Sequence, residues 1–188
     1  GCSPVEDQGD LGACTANAIA GALEYLLPKP DASRLFIYYG ERELEGTVRS
    51  DNGAYIRDGI KVVSKGYAGE ALWPYDISKF KVRPSSAACS DARLRRADGY
   101  CRCATLADVK AALASRRPVV FGFSVYEFAL SASVAKSGAL RMPRLSDRLA
   151  GGHAVLAVGY DDAAGTLVFR NSWGPQWGIK GYGSLPYG

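Results

Sequence analysis

The first half of the chain carries apolar residues at helical spacing. Between residues 14 and 27 they recur every three or four positions, which predicts a helix that begins at Cys14. Pro28 and Pro30 follow, and because proline disrupts a helix interior, they predict where this helix ends. The apolar stripe consists of Ala16, Ile19, Ala20, Leu23 and Leu27. Cys14 is therefore expected at the N-terminal end of a helix.

Further helices are predicted along the same half. Residues 33–44 fit helical spacing, although the apolar run in their middle would suit a strand equally well. An apolar stripe that follows Asn52-Gly53 predicts a helix that ends at Gly66. Residues 74–103 contain prolines and a stretch rich in serine, alanine and aspartate, which predicts an irregular loop or a lobe boundary.

The second half changes to strand patterns after Thr105, which is expected to cap a short helix with Asp108 three positions on. Apolar and β-branched residues then predict strands, and the turn-forming residues 161–165 predict a hairpin connection between two of them. The predicted strands are Val119–Tyr126, His153–Tyr160, Leu167–Trp173 and a last one within Gly181–Tyr187. The order of elements indicates an α+β fold, with a helical half followed by a β half.

Composition and charge fit a soluble globular enzyme or binding protein. The chain has 188 residues, of which 47% are hydrophobic and 22% charged, with a net charge of +4. This length suits one domain or two closely packed lobes. The basic residues are scattered, so we expect no nucleic-acid partner. No apolar run is long enough for a membrane span and the chain does not open with a signal segment, so we expect no membrane partner, and any targeting peptide or pro-segment removed or outside the chain.

The number of cysteines is odd, so at least one thiol stays outside any intramolecular disulfide. Cys14 is the candidate. The other four, which are Cys2, Cys89, Cys101 and Cys103, would form two bridges or none. None of the asparagines lies in a glycosylation sequon. The compartment stays open between a secreted or periplasmic location and the cytoplasm.

Cys14 and His153 are the candidate reactive residues. A thiol attacks a carbonyl only as thiolate, which is favoured by the N-terminal end of a helix and by an imidazole that accepts the proton. The predicted helix provides the first condition for Cys14. His153 is the single histidine of the chain, so any cysteine-histidine chemistry must use it. Taken alone, a lone histidine is more often a core residue and a lone cysteine a small buried hydrophobe.

Four ordered motifs change that balance. Gln8 stands six residues before Cys14 within Asp7-Gln-Gly-Asp-Leu-Gly-Ala-Cys14. The segments Gly152-His153-Ala-Val155 and Asn171-Ser-Trp-Gly-Pro-Gln-Trp-Gly178 follow, and then Gly181-Tyr182. His153 and Asn171 lie near the distance from the cysteine, about 130 to 150 residues, that papain-like peptidases show. The chain therefore resembles the papain family of cysteine peptidases over nearly its whole length, and phrases such as Trp73-Pro-Tyr-Asp-Ile-Ser78 are similar to its bacterial branch.

The resemblance implies a catalytic set of Gln8, Cys14, His153 and Asn171. Cys14 would attack the substrate carbonyl, and His153 would carry the proton from the thiol to the leaving amine. Asn171 would accept from the imidazole N–H and fix its tautomer, while the Gln8 amide would join the Cys14 backbone N–H in an oxyanion hole. Trp173 would shield the bond between Asn171 and His153, and its alternative role is plain core packing.

The resemblance also implies a substrate-binding set. Asn52 and Gly53 match the stretch that pairs with the substrate backbone, and a simple helix-start turn is an equally good explanation of them. Ala54 and Tyr55 fall where the family lines its main specificity pocket, opposite Gly152, and the small residues suggest an open pocket. Trp177 resembles the wall of the cleft on the leaving-group side.

The resemblance implies a papain-like fold of two lobes within a single catalytic domain, 1–188. Residues of about 10–103 would form a helical lobe, and about 1–9 with 104–188 an antiparallel β-barrel lobe, with the active-site cleft between them. Leu11 and Thr15 replace the family's usual cysteine and tryptophan, so one structural disulfide is expected to be absent. The chain stops at Gly188, which leaves the floor of the specificity pocket in doubt.

The implied activity is that of a cysteine endopeptidase without a cofactor or metal, although the sequence does not separate endopeptidase from exopeptidase preference. Its partners would be polypeptide substrates and a pro-segment or protein inhibitor. Alternatives on the same fold are an amidase, a transpeptidase or an isopeptidase. An inactive binding module is disfavoured because the catalytic set is complete, and a zinc site is disfavoured because Cys101-Arg-Cys103 lacks the usual spacing.

Overall fold

A computed structural model describes residues 2–27 and 31–187. These residues fall into two compact units. The first consists of the described parts of Gly1–Ser3 and Gln8–Arg102, and the second of Pro4–Asp7 with the described part of Cys103–Gly188. Each unit is described by itself.

The first unit is helical. Its helices are α1 (Cys14–Leu26), α2 (Arg34–Glu45), α3 (Ile56–Lys65) and α4 (Ser86–Ala92), with a 3₁₀ turn at Ile77–Lys79. The predicted start of α1 at Cys14 is confirmed, whereas its predicted end at Pro28 and Pro30 lies outside the described residues. The segment that suited either a helix or a strand is α2, since Ser33 caps its first turn and Gly46 ends it with φ +71°.

The core of the first unit lies where α1, α2 and α3 pack on one another. Gly59 on α3 allows the closest approach, because a Cβ atom there would lie 2.3 Å from Ile19 Cδ1 on α1. The helices bury Ile19, Leu35, Ile37 and Val63 almost completely. Burial of such side chains stabilises the unit by about 1.5 to 3 kcal/mol each.

The prediction of irregular structure for residues 74–103 is wrong over α4. The Ser85 hydroxyl accepts from the Ala88 backbone N–H and so starts this short helix. Ala88 and Ala92 are buried beside Ala68, with Phe36 and Trp73 packed against them. The run of serine and alanine is typical of a loop in isolation, but here its small side chains let the helix lie close to its neighbours.

The second unit is built on a sheet. Within the described residues four antiparallel strands pair in the order β1-β2-β3-β4, with two short α-helices and a 3₁₀ turn at Glu127–Leu130. The elements are α5 (Leu106–Ala114), β1 (Val119–Tyr126), α6 (Ala132–Ser137), β2 (Leu149–Asp161), β3 (Thr166–Arg170) and β4 (Tyr182–Pro186). The predicted cap of α5 is confirmed as a capping box of Thr105 with Asp108.

The strand boundaries differ from the predicted ones where the candidate site lies. β2 begins at Leu149, four positions before His153, so His153 is an interior residue of a long strand that pairs with Phe123 of β1. β3 ends at Arg170, so Asn171 follows the strand. The 161–165 hairpin is confirmed, because the Asp161 carboxylate accepts from the Ala163 and Ala164 backbone N–H groups. The helix α6 was not predicted.

Candidate active site

Cys14 is the first residue of α1, and the segment before it forms a tight turn. The Ala13 backbone N–H donates to the Leu11 carbonyl at 2.7 Å. The first turn of α1 contains no acidic residue, so no carboxylate of its own offsets the positive end of the helix dipole. A thiolate at Cys14 would therefore be favoured by its position at the helix start.

Gln8 lies in the same turn and is held at both its side chain and its backbone. Its side chain is 8% exposed, and its Nε2 donates to the Leu11 carbonyl at 2.9 Å. Its carbonyl accepts from the Tyr75 hydroxyl at 3.0 Å. Gly9, with φ +58°, allows the chain to reverse directly after Gln8. The structure thus fixes the glutamine in the turn that leads to Cys14.

The Asn52-Gly53 segment lies against this turn within the first unit. Both oxygens of the Asp51 carboxylate accept from the Gly12 backbone N–H, at 3.0 and 3.1 Å. A Cβ atom at Gly12 would lie 3.2 Å from the Gly53 nitrogen, so glycine at this position permits the close approach. Burial raises the pKa of Tyr38. The Asp51 carboxylate, which also accepts from the Tyr38 hydroxyl, raises this pKa further.

The remaining predicted substrate-binding residues are spread over both units. Asn52 and Tyr55 are exposed, and Ala54 is half-buried. The Tyr55 backbone N–H donates to Glu45 Oε1 at 2.8 Å, and Tyr55 is 73% exposed. Gly152 is exposed on β2, directly before the buried His153.

His153 and Asn171 are brought together in the second unit. His153 Nε2 lies 2.7 Å from Asn171 Oδ1, and the two side chains are 7% and 3% exposed. Asn171 Oδ1 also accepts from the Ser172 backbone N–H at 2.9 Å. Two donors on one oxygen orient the amide, so Nε2 of His153 carries the hydrogen and Nδ1 is the acceptor nitrogen of the neutral ring.

The surroundings of the imidazole favour its neutral form. Burial lowers the pKa of His153, and the hydrogen bond to Asn171 opposes that effect only in part. The Trp173 indole stacks on the imidazole with ring centres 4.6 Å apart, and Phe123 meets it edge-on at 5.9 Å. The hydrogen bond between His153 and Asn171 is therefore covered by aromatic rings.

Trp177 lies in the hydrophobic core of the second unit. It is 8% exposed and packs with Phe169, Val155 and Val134. Its ring meets Trp173 edge-on at 5.5 Å. Most of the Trp177 indole therefore contacts protein, including the Trp173 ring.

Sequence reasoning missed the residues that contact the turn or the first turn of α1, which are Tyr75, Asp51 and Glu41. Tyr75 was noted only as part of a resembling segment, and Asp51 directly precedes Asn52 without any motif of its own. Glu41 is fully buried on α2 and accepts from the Thr15 hydroxyl at 2.8 Å, one position after Cys14. A charged residue on the apolar side of a predicted helix was the one available signal.

None of the cysteines, all of which the structure describes, takes part in a disulfide. Across residues 2–27 and 31–187, no cluster of three or more histidine, cysteine or acidic side chains could hold a metal ion. Each helix in the same ranges is too short or too polar to cross a membrane.

Comparison with known proteins places this arrangement among cysteine proteases. The family model described as papain family cysteine protease matches residues 1–188. A peptidase C1-like protein of Acanthamoeba polyphaga mimivirus is 43% identical over 96% of the chain. Bovine pro-cathepsin H is 29% identical over 96% of the chain. The chain spans 63% of the length of the viral protein and 55% of the pro-cathepsin.

Solved structures share the fold. Xylellain, a cysteine protease from Xylella fastidiosa, superposes with a TM-score of 0.89 at 42% identity, covering 98% of this chain and 76% of xylellain. A cysteine protease of Carica candamarcensis in complex with E-64 superposes with a TM-score of 0.73 at 22% identity, covering 97% of this chain and 82% of its own. The helices and antiparallel sheet described above are those of this α+β fold.

Proposed function

The chain belongs to the papain family of cysteine proteases, and on that premise we propose that it hydrolyses peptide bonds with Cys14 as nucleophile and His153 as general base and acid. The observation that carries the proposal is the buried bond, 2.7 Å long, between His153 Nε2 and Asn171 Oδ1. This bond places the hydrogen on Nε2, so Nδ1 is the nitrogen that can accept the thiol proton.

The proposed reaction has two stages. The Cys14 thiolate attacks the carbonyl carbon, and the Gln8 amide and the Cys14 backbone N–H stabilise the oxyanion. As the C–N bond breaks, the leaving amine takes the proton from His153 Nδ1, and a thioester remains on Cys14. His153 then accepts a proton from water, whose oxygen attacks the thioester, and the proton returns to the sulfur as the carboxylic acid product leaves.

The proposal requires Cys14 of the first unit to meet His153 of the second. We propose a helical lobe of about residues 10–103 and a β-barrel lobe formed by about 1–9 and 104–188, with the substrate in a cleft between them, because the solved relatives belong to a family with this design. The backbone of the substrate would pair with Asn52 and Gly53. Ala54, Tyr55, Gly152 and the small exposed part of Trp177 would face its side chains.

Polypeptides are the proposed substrates, and a pro-segment is a proposed partner. Support for the pro-segment comes from the proform structure of the ragweed pollen cysteine protease Amb a 11, which is 25% identical to this chain. A bacterial branch is proposed on the likeness to xylellain alone, since the viral relative is as similar and others are animal proteins.

Labelling with an epoxide-type cysteine-peptidase inhibitor tests the nucleophile. We expect one label at Cys14 by mass mapping under reducing conditions, and none in the Cys14→Ala and His153→Ala variants. Cys101→Ala is the matched control, because it removes an exposed thiol far along the chain from the motifs and should leave labelling unchanged.

A peptide-library assay with the same proteins tests the reaction. Hydrolysis products are expected from the wild type and from Cys101→Ala, and transfer to an added amine without any hydrolysis would instead identify a transpeptidase. The peptidase proposal is wrong if the intact, folded protein neither takes the label at Cys14 nor cleaves any peptide.

A further inference from the structure

Tyr75 reaches from a distant part of the chain to the backbone of Gln8. Its hydroxyl donates to the Gln8 carbonyl at 3.0 Å, across 67 positions in sequence. Gln8 is the residue whose amide serves the oxyanion hole in the proposed reaction. The turn after it contains glycines at positions 9 and 12, and glycine gives a backbone more conformational freedom than any other residue. The Tyr75 hydroxyl is a contact from outside this turn that restrains the Gln8 backbone.

The Tyr75 ring is itself held firmly. The Arg34 guanidinium lies over its face, 4.1 Å from the ring centre. Arg34 Nη2 is paired with Glu70 Oε1 at 3.1 Å, and the same oxygen accepts from the Tyr75 backbone N–H at 2.8 Å. Burial raises the pKa of Tyr75 to about 12, so its hydroxyl keeps the proton that it donates throughout the neutral range.

The same arginine is linked to the start of α1. Arg34 Nη1 donates to Asn17 Oδ1 at 3.4 Å, and Asn17 Nδ2 donates to the Ala13 carbonyl at 2.9 Å. The network thus contacts the turn at both its ends, at Gln8 through Tyr75 and at Ala13 through Asn17. Gln8 carries one donor of the proposed oxyanion hole, its side-chain amide, and Ala13 directly precedes Cys14, whose backbone N–H is the other donor.

We propose that Tyr75 is a positioning residue of the oxyanion hole, which holds the Gln8 backbone so that the Gln8 amide stays at a fixed distance from the Cys14 backbone N–H. The inference rests on the proposed function. Tyr75 acts through Gln8 and touches neither the substrate nor the reacting atoms. Replacement of Tyr75 should therefore lower kcat while Gln8 is present, and should have little further effect once the Gln8 amide is removed.

The test is a double-mutant cycle of Tyr75→Phe with Gln8→Ala, measured as kcat and KM on a fluorogenic peptide. Removal of an oxyanion donor costs about 10² to 10³ in kcat, and a donor that is misplaced but present should cost about tenfold. We expect Tyr75→Phe to lower kcat by about tenfold with little change in KM, and to add less than about twofold in the Gln8→Ala background.

Tyr67→Phe is the matched control, since Tyr67 is a buried tyrosine of the same unit, 3% exposed, and its pKa is also raised by burial. Alkylation of Cys14 by a small haloacetamide gives a second readout, which should be the same in all these proteins because it needs no oxyanion hole. Glu70→Gln, which weakens the pair with Arg34, is the second variant if Tyr75→Phe folds poorly. It should lower kcat by a smaller factor, and only while Gln8 is present.

The inference is overturned if Tyr75→Phe behaves like Tyr67→Phe, or if it lowers kcat by the same factor with and without Gln8. A wild-type protein that is alkylated at Cys14 but cleaves no peptide would contradict the proposed function instead. The two failures are distinguishable, because the first leaves wild-type turnover intact.

Discussion

Glu41 on α2 is a fully buried carboxyl group that faces α1, the helix that begins at Cys14. Its Oε2 accepts from the Thr15 hydroxyl at 2.8 Å, and no described residue donates to its Oε1. Gly59 leaves the space for that oxygen, since a Cβ atom there would lie 2.2 Å from it. Burial raises the pKa of Glu41 well above its ordinary value, more than the neighbouring Arg42 lowers it. The folded protein therefore holds a proton on Glu41 at a pH where the unfolded chain has lost it.

The sign of the pH dependence follows from this difference. The stability that Glu41 confers is complete below the ordinary glutamate pKa of about 4.3 and is lost as pH rises toward the raised pKa of the folded state. Within that window the folded state binds one proton more, so the free energy of unfolding falls by about 1.4 kcal/mol for each pH unit. A glutamine at this position has no proton to lose, and its contribution is the same at every pH.

The assay is chemical denaturation of Cys14→Ala and Cys14→Ala/Glu41→Gln at several pH values from 4 to 7, where the inactive background prevents self-cleavage. Above pH 5 we expect the free energy of unfolding of the glutamine variant, relative to the parent, to rise by about 1.4 kcal/mol per pH unit until the raised pKa of the folded-state Glu41 is reached. Glu43→Gln is the control, because Glu43 is an exposed carboxyl of the same helix. Parallel pH profiles for parent and Glu41→Gln would refute the reasoning.

Three further changes test the second unit. Trp173→Ala should expose the bond between His153 and Asn171 to water and lower kcat/KM about five- to tenfold, with Trp173→Phe retaining most of it, as measured by peptide hydrolysis. Phe169→Ala removes a core ring that is 1% exposed and should cost about 3 to 5 kcal/mol in the free energy of unfolding; a cost below 1 kcal/mol would contradict the assigned packing. Thr105→Ala removes the cap of α5 and should cost about 1 kcal/mol by denaturation, with Thr105→Ser close to wild type.

Local patterns determined much of the fold before any contact was known. The apolar spacing after Cys14 and the capping box at Thr105 both act within a few residues, whereas the spacing of residues 33–44 left helix and strand open. Such signals depend on backbone hydrogen bonds and side chains that are neighbours in sequence, so they can be read from it. They failed for α4, whose serine and alanine run forms a helix because buried alanines pack on Phe36 and Trp73.

The candidate site likewise has features that were predicted from the sequence and features that depend on packing. Cys14, His153 and Asn171 were predicted from motif order. In the structure the last two are hydrogen-bonded, His153 from the interior of β2 and Asn171 from the position directly after β3. The covering of that bond by Trp173 and the burial of Trp177 in the core depend on the packing of the sheet. The roles of Gln8, Cys14, His153 and Asn171 in catalysis remain predictions.

The sequence by itself determined which residues are the candidates for the chemistry, since their types and order are what the proposed reaction needs. Only the tertiary structure decided what holds them: the Tyr75 hydroxyl on Gln8 across 67 positions, and the Asp51 carboxylate on Gly12 across 39. Periodicity and caps say nothing about such pairs, because the contact forms only when helices far apart in sequence pack together. The geometry of the turn that leads from Gln8 to Cys14 therefore depends on how the first unit packs around it.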